Sequence, residues 1–600
     1  MLITSHLKHL SFSRFFAGKS GIGLKSALPI LMICIYGGIA TVIAQDGTVG
    51  DTDIEVFNIS GSISTEAHGY TTTRSANRRA PLGNVTTANA SFSVLGFDSG
   101  INFRYNTDDS ELRQSINRVG FNGSWRWVSL SAGDVTPSWS SYSLRGTRVR
   151  GGHVELTPGE FIFEITGGRT QRAVGPQDDD EIQPRRLSFE RMLYGTRIGF
   201  GDQTRGHYFA LSGFYARDDK NSITLPDSDA LLEEQRNYSP PAENLLISPE
   251  MHLSFFDQAF QLGIEATAST FTRDLTSNQI DPAESDVPDF FGSLMNIHSS
   301  TRLGFAGTAH AAFNVSPFDV RLQYDRVNPG FRSLGLRSIR DDQQRYSADV
   351  GVEFFNQRLR LDNRIGYDQD NLLGNRVQTQ QGFDYNVDAT GQLSESMSLT
   401  VGYGIVSNSV EATDPETATG TSDHTTQTFQ FQPTYNIAID DITHSISFSG
   451  FYQSFETITE TQQADRATGG QTLNSTLNYS ISFFDGLNLN TSLNGLVGDA
   501  AGSDMLNLGV NAGVGYSFFD GDLTTNVNFG GSRNKTTPAG GEADIQNISW
   551  QFNGRANLSY QILSSTSLDF SVRTNNNTIS EGAGSGFSEF ESRLSFSYRF

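Results

Sequence analysis

The chain has 600 residues, of which 36 % are hydrophobic and 18 % are charged, a length that would allow several soluble domains. Glycine (60) and phenylalanine (43) are abundant, whereas methionine (7) and proline (17) are scarce. A mean hydropathy of -0.35 excludes a polytopic helical membrane protein. The formal net charge of -23 excludes a nucleic-acid partner held by bulk electrostatics. This composition indicates a large all-β protein.

The N-terminal region has the pattern of a secretory signal peptide. Every charged residue before Asp46 is basic, and an apolar run over residues 27–44 ends in small residues. A retained membrane anchor is the alternative, but the run is short and broken by Gly37 and Gly38. The only cysteine, Cys34, lies inside this run, so the exported chain would contain none.

From residue 54 onward the dominant signal is alternation of apolar and polar residues, which places successive side chains on opposite faces of a strand. A soluble β-sandwich would also alternate. The alternating segments here are longer than the ~5–6 residues of ordinary strands, and they are long enough to cross a bilayer at a tilt. The sequence therefore predicts a large transmembrane antiparallel up-and-down β-barrel of about 26 strands (24–26), with no plug domain in the chain.

The predicted organisation has three parts. A signal peptide covers residues 1–45, a short periplasmic segment covers 46–53, and the barrel covers 54–600. The pattern of the barrel is least regular before residue 145. At the end of this stretch, a strand is predicted at 143–157.

Tight turns preceded by two aromatic residues recur along the barrel. The examples are Phe255-Phe256-Asp257-Gln258, Phe354-Phe355-Asn356-Gln357, Phe483-Phe484-Asp485-Gly486 and Phe518-Phe519-Asp520-Gly521. All of them follow even-numbered predicted strands, and the long segments 218–243 and 274–296 follow odd-numbered ones. We therefore expect short periplasmic turns with an aromatic girdle at one rim and long loops at the other.

The last strand alternates apolar Leu594, Phe596, Tyr598 and Phe600 with polar residues. This ending resembles the C-terminal strand of bacterial outer-membrane β-barrel proteins, a class rather than a single family. The resemblance implies that these four residues are the signal read by the barrel-assembly machinery. It also implies localisation in the outer membrane of a Gram-negative cell envelope, in contact with the lipids of that membrane.

Polar faces of the predicted strands carry charges of both signs. The lumen-facing candidates are Arg321, Asp325, Arg358, Arg360, Asp362, Arg364, Arg555, Asp569, Arg573, Glu591, Arg593 and Arg599. Arginine stripes in a pore select anions or polyanionic polymers. The interpretation that we favour is that inward charges pair across strands and stabilise the wall.

Acidic residues collect in the predicted outer loops, at Asp178, Asp179, Asp180 and Glu181 and again at Asp281, Glu284 and Asp286. Their spacing matches no calcium-binding loop, so solvated surface charge is the favoured interpretation over a cation site. Histidines are scattered without a catalytic or metal-binding motif. We therefore predict no enzyme activity, no catalytic residues, no cofactor and no metal.

With about nine residues between the predicted cleavage site and the first strand, no plug domain is expected. A barrel of this size would be an open pore, be filled by its own loops, or be occupied by a lipoprotein or periplasmic plug. The leading hypothesis is an outer-membrane channel, either the pore component of a transport or secretion assembly or a large porin. The alternative is a structural or surface-interaction barrel with a loop-blocked lumen and acidic extracellular loops.

Overall fold

The structure is a computed structural model that describes most of the chain. The described residues are 57–75, 79–107, 114, 116–175, 187–224, 238–285, 287–413, 421–460, 465–500, 502–538, 546–582 and 584–600. The predicted signal peptide and the segment 46–53 lie outside them. The chain divides into two compact units, residues 1–58 with 93–95 and residues 59–92 with 96–600. In the first unit only 57–58 and 93–95 are described, as parts of two strands and the turn after the second; the second unit contains the features below.

Within the described residues, the regular structure consists of 26 β-strands and three short helical turns. The strands are β1 (Phe57–Thr72), β2 (Leu82–Val94), β3 (Phe97–Asn106), β4 (Arg118–Trp125), β5 (Val128–Val135), β6 (Val149–Leu156), β7 (Phe161–Gln171), β8 (Glu190–Asp202), β9 (His207–Asp219), β10 (Glu243–Phe255), β11 (Phe260–Thr272), β12 (Thr301–Val315), β13 (Phe318–Val327), β14 (Gln343–Phe354), β15 (Leu359–Asp370), β16 (Gln378–Gln392), β17 (Met397–Ala412), β18 (Thr421–Ile439), β19 (Ile442–Glu460), β20 (Asp465–Phe483), β21 (Asn488–Ala500), β22 (Ser503–Phe518), β23 (Leu523–Pro538), β24 (Asn547–Leu563), β25 (Thr566–Glu581) and β26 (Phe587–Arg599). The helical turns are Pro282–Glu284, Asp289–Gly292 and Phe519–Gly521. Among the described residues, no helix is long and apolar enough to span a membrane.

Each strand pairs with the next one in the sequence, and the last strand pairs with the first. The closing register of β26 against β1 runs antiparallel from Ser62 opposite Arg599 to Thr72 opposite Glu589. Closure leaves no unpaired edge strand. The prediction of a closed antiparallel barrel with about 26 strands is confirmed.

The connections differ systematically in length at the two rims. Those from an even to an odd strand have between two residues (564–565) and four residues (355–358). Those from an odd to an even strand reach 273–300, which separates β11 from β12. The second phenylalanine of each predicted aromatic turn is exposed, from 71 % for Phe519 to 88 % for Phe484. The predicted asymmetry of the rims and the exposed aromatic girdle are therefore present.

Two of the long connections pack together against one face of the sheet. Residues 136–148, between β5 and β6, and residues 328–342, between β13 and β14, pack together against the same face of β7–β13. We call them the two inserted loops, and the face that they cover is the inner face of the barrel. The prediction of a strand beginning at residue 143 is wrong. Strand β6 begins at Val149 because the apolar side chains before it, such as Leu144, are buried against the inner face instead of pairing in the sheet.

The outer face is apolar. On β8 and β9 the exposed side chains include Ile198, Phe200, Phe209 and Leu211, whereas their neighbours of opposite parity are buried beneath the inserted loops. The same separation continues on the other side of the barrel, where Val510 is exposed on the outer face of β22. An apolar outer band with a polar interior is the arrangement of a transmembrane β-barrel.

Candidate channel lumen

The first inserted loop is anchored near the middle of the barrel wall by two glutamates. The indole nitrogen of Trp139 donates a 2.7 Å hydrogen bond to Glu164 on β7. The backbone nitrogens of Ser141 and Tyr142 each donate a 2.9 Å hydrogen bond to the carboxylate of Glu265 on β11. These carboxylates are three and five residues from the tight-turn ends of their strands, Phe161 and Phe260. The loop therefore reaches deep into the barrel instead of capping its rim.

Apolar packing holds the two inserted loops to each other and to the wall. Trp139, Tyr142 and Leu144 from the first loop and Phe331 from the second are buried in one cluster with wall residues such as Phe214. The loops also share backbone hydrogen bonds, including Arg145 N to Gly335 O at 3.1 Å. This sector of the inner face, from β7 to β13, is occupied by the protein itself.

A buried ion-pair network lies beneath the first loop. Arg197 on β8 is 5 % exposed and donates hydrogen bonds to Glu164 (2.6 Å) and to Glu250 (2.5 and 2.9 Å). Burial together with the Asp325 carboxylate raises the pKa of Tyr142, so the phenol stays protonated and donates to Asp325 at 3.3 Å. Charges that are fully buried in this way tie the loop and three strands into one polar unit.

The inner face of β13–β16, which we call the charged wall, is richer in acid than in base. Its carboxylates are Asp319, Asp325, Asp349, Glu353, Asp362, Asp368, Asp370, Asp384 and Asp388, and its arginines are Arg321, Arg345, Arg360 and Arg364. Nine carboxylates against four guanidinium groups leave this wall acidic. The anion-selecting role considered for the arginines does not suit such a wall, because the net potential along it is negative.

Most arginines of the charged wall are paired. Arg360 contacts Asp362 at 2.9 Å, Glu353 at 3.0 Å and Asp319 at 3.4 Å. Arg364 contacts Asp349 at 2.5 Å. These contacts match the cross-strand pairing interpretation that the sequence favoured.

The remaining predicted lumenal charges on this side have other surroundings. Arg321 donates to the side chain of Gln323, and Asp325 accepts from Gln323 and from Tyr142. Arg358 does not lie on a strand: it occupies the tight turn before β15 and is exposed there, which places it at the rim. The alternating pattern in the sequence begins before the strand does. Arg358 has the same parity as the inward arginines that follow it, so the pattern alone assigned it to the lumen.

A second group of predicted charges lies around the closure of the barrel and contains four arginines and two carboxylates. Glu591 on β26 contacts Arg593 at 2.7 Å and Arg79 at 2.5 Å, and Arg593 also contacts Glu66 on β1 at 3.5 Å. Arg573 lies opposite both Arg555 and Glu591. Two further predicted residues, Asp569 and Arg599, share the inner parity of these strands, and Asp569 accepts a 2.5 Å hydrogen bond from Ser559.

Between the two charged regions the inner face of β17–β23 carries almost no charge. Its only Asp, Glu, Lys or Arg of inner parity is Arg466, at the outer end of β20. The face is formed instead by hydroxyls and carboxamides, so we call it the amide wall. Its asparagines on β20–β23 are Asn474, Asn478, Asn488, Asn490, Asn494, Asn507, Asn511, Asn526, Asn528 and Asn534.

The predicted assembly signal lies at the closure of the barrel. Leu594, Phe596, Tyr598 and Phe600 share the outer parity of the last strand, and Leu594 and Phe600 are 47 % and 44 % exposed. Phe600 also exchanges two backbone hydrogen bonds with Gly61, of 2.9 and 3.0 Å. The terminal residue therefore contributes to the closing pair of strands.

The predicted acidic loops are only partly visible. Asp178, Asp179, Asp180, Glu181 and Asp286 lie outside the described residues. Asp281 caps the helical turn that contains Glu284 by accepting a 3.0 Å hydrogen bond from Ala283 N. Within the described part of the chain, no group of three or more His, Cys, Asp or Glu side chains is placed to hold a metal ion.

Four buried charged residues of the lumen, Glu164, Arg197, Glu250 and Glu265, were not singled out from the sequence. Each is an isolated charge of inner parity on its own strand, with an apolar or small residue two positions away. The only available signal was a charge at a polar-face position of a strand otherwise poor in charges. The hydrogen bonds that join them to each other and to the first inserted loop span 25 to 124 residues, as in Trp139–Glu164 and Ser141–Glu265, so no local pattern connects them.

No protein-family model and no curated protein sequence matches the chain. Solved structures with a similar fold include the FrpB iron transporter from Neisseria meningitidis (10 % identity, 90 % of this chain and 81 % of that one, TM-score 0.39). They also include the copper transporter OprC (11 %, 89 % and 80 %, 0.37) and the outer membrane protein opdK from Pseudomonas aeruginosa (11 %, 60 % and 94 %, 0.27). At these identities and scores the similarity carries no information on substrate or partner.

Proposed function

We propose that the protein is an outer-membrane diffusion channel whose lumen is narrowed on one side by its own two inserted loops. The observation that carries this proposal is the contrast between the two parts of the inner face. Buried side chains concentrate between residues 135 and 371, where the loops lie, whereas the inner faces of β17–β23 are polar and remain at least partly exposed to water in almost every case. A barrel with more than 16–18 strands leaves an aqueous channel unless it is filled.

The polar lining supports a water-filled path instead of a packed interior. Asn474, Asn478 and Asn511 are exposed on the inner face although they lie in the central part of long strands. A solid core would bury such groups only with their hydrogen bonds satisfied. Solvated carboxamides instead suit a pore lumen. The expected absence of enzyme activity fits this role, and the chemistry required of the protein is passage and not catalysis.

Single-channel recording in planar bilayers tests the proposal directly. The refolded protein should give steady openings with a preference for cations, because the charged wall carries nine carboxylates against four arginines. Asp349→Asn and Asp362→Asn should each shift the reversal potential toward anions. A heat-modifiable, folded barrel that remains electrically silent would refute the diffusion channel.

A barrel without conductance would favour the partner hypothesis, in which a lipoprotein or periplasmic protein occupies the remaining lumen. Co-purification of such a protein from native membranes, with conductance appearing on its removal, would then replace the diffusion channel by the pore component of an assembly. A silent barrel without a partner would instead favour the structural or surface-interaction role.

A further inference from the structure

Apart from Arg466 at the outer end of β20, the amide wall is a continuous uncharged surface between two charged regions of the same lumen. Its first and last strands are six positions apart in the barrel, β17 to β23, which corresponds to roughly 30 Å at the usual spacing between strands. A hydrogen bond of 2.6 Å from Gln430 on β18 to Asp388 on β16 marks the border with the charged wall. The charged residues of β21–β23, by contrast, all have outer parity, as Arg533 and Lys535 do.

The carboxamides of this wall lie over glycines of the neighbouring strands. A Cβ atom at Gly513 would stand 2.1 Å from the side-chain oxygen of Asn528 and 2.6 Å from that of Asn490. Gly530 is covered in the same way by Asn511, at 2.0 Å from the corresponding position. The amides therefore lie along the wall and do not project across the lumen. The glycines provide the space that this flat arrangement requires.

Each carboxamide keeps hydrogen-bonding capacity toward the lumen. Asn494 donates to Asn507 at 3.3 Å, and Asn511 donates to Ser492 at 3.1 Å. A carboxamide has two N–H donors and an oxygen that accepts two hydrogen bonds, so one contact of this kind leaves several groups for a ligand. The wall offers donors and acceptors side by side, without a net charge.

Two phenylalanines interrupt the polar surface on β19. Phe451 is opposite Gln430 and Asn474, and Phe455 is opposite Thr426, so both rings have inner parity. Phe451 is 38 % exposed. Four residues of extended strand separate the two rings by about 13 Å. A ring exposed to a water-filled lumen is an apolar contact surface next to the carboxamides of the amide wall.

We propose that the amide wall binds neutral oligosaccharide chains as they pass through the lumen. This inference rests on the proposed channel function and names its substrate class. A hydroxyl both donates and accepts, as a carboxamide does, and the C–H face of a sugar ring is apolar and packs against an exposed aromatic ring. An ionic solute would find no opposite charge on this wall beyond Arg466 at its outer end and would lose hydration without compensation.

The test compares matched neutral and charged hexasaccharides. Maltohexaose and cellohexaose should produce brief blockades of the single-channel current. Hexagalacturonate and a polyethylene glycol of similar hydrodynamic size should not produce blockades of this duration. Phe451→Ala should shorten the sugar residence time about fivefold. Asn511→Asp should also shorten the sugar residence time, because this substitution places a negative charge on the amide wall. Asp349→Asn on the charged wall is the matched control and should change ion selectivity alone.

Calorimetric titration of the detergent-solubilised barrel with the same hexasaccharides reads binding without requiring conduction. A barrel that conducts but binds neither neutral sugar, or that binds them equally after Phe451→Ala, overturns the saccharide inference and leaves the channel function intact. A barrel that does not conduct but still binds neutral sugar through Phe451 overturns the diffusion channel and keeps the amide wall as a saccharide site. Equal binding of the charged hexasaccharide also overturns the inference.

Discussion

The attachment of the first inserted loop to Glu265 allows a quantitative prediction. In Glu265→Gln, the amide retains one oxygen for one of the two loop N–H groups, while its NH2 faces the other, so a buried donor loses its acceptor. Losing one charge-assisted hydrogen bond and leaving an N–H unsatisfied costs about 2–4 kcal/mol. The equilibrium between docked and undocked loop should therefore shift about 30- to 900-fold toward the undocked state.

Thiol labelling measures this shift. Ser143 belongs to the first inserted loop and is fully buried, and Ser143→Cys is nearly isosteric; the single natural cysteine, Cys34, lies in the predicted signal peptide. The rate of modification of the introduced thiol by a water-soluble reagent follows the population of the open loop when reclosing is fast. It should rise by the factor given above when Glu265→Gln is added. In single-channel records the same variant should show more frequent current fluctuations.

Asp384→Asn is the matched control for this experiment. Asp384 is also a lumenal carboxylate in a charged hydrogen bond, 2.6 Å from Arg345, but it has no contact with the loop among the hydrogen bonds described. It should leave the labelling rate unchanged. A labelling rate in Glu265→Gln within twofold of the parent, in a barrel that still shows heat-modifiable migration, would refute the view that Glu265 holds the loop.

Three further predictions concern stability, assembly and conduction. Arg197→Met should lower the free energy of unfolding in urea by about 3–5 kcal/mol because Glu164 and Glu250 lose their buried counter-charge, and adding Glu250→Gln should restore part of it; no loss in the single variant would show that the pair is not coupled to folding. Phe600→Ala should reduce the fraction of chain assembled into membranes in cells, read by heat-modifiable migration, while wild-type assembly levels would contradict a role at the barrel closure. Asp362→Asn should lower the cation-to-anion permeability ratio without a large change in conductance, and a shift toward cations would contradict the assignment of the acidic wall to the conducting path.

The sequence predicted the strand architecture well because the strands of a β-barrel are determined by local sequence features. Alternation fixes which side chains share a face, and turn residues fix where each strand ends, so strands such as β22 at 503–518 have the predicted bounds. The rule that even strands precede short turns assigned the two rims correctly. The error at residue 143 arose where an alternating polar and apolar segment was covered by other parts of the chain instead of by a neighbouring strand.

The charges show the same division. Alternation was sufficient to place Arg360, Asp362 and Arg364 on one inner face, because parity within a strand is a local property. It did not extend to the contacts of Arg360 with Asp319 and Glu353, which come from two other strands. The excess of acid on the charged wall became visible only when neighbouring strands were aligned in register.

The sequence by itself determined the class of fold, the number of strands, the two rims and the polarity of the two faces, since these follow from periodicity and turn chemistry. Tertiary structure alone decided that the loops at 136–148 and 328–342 enter the lumen and that one sector of the wall remains neutral and accessible. The reason is distance along the chain: Tyr142 meets Glu265 across 123 residues, and Ser143 meets Ser333 across 190. Burial of Trp139, Tyr142 and Leu144 is favourable only once strands far along the chain have closed around them.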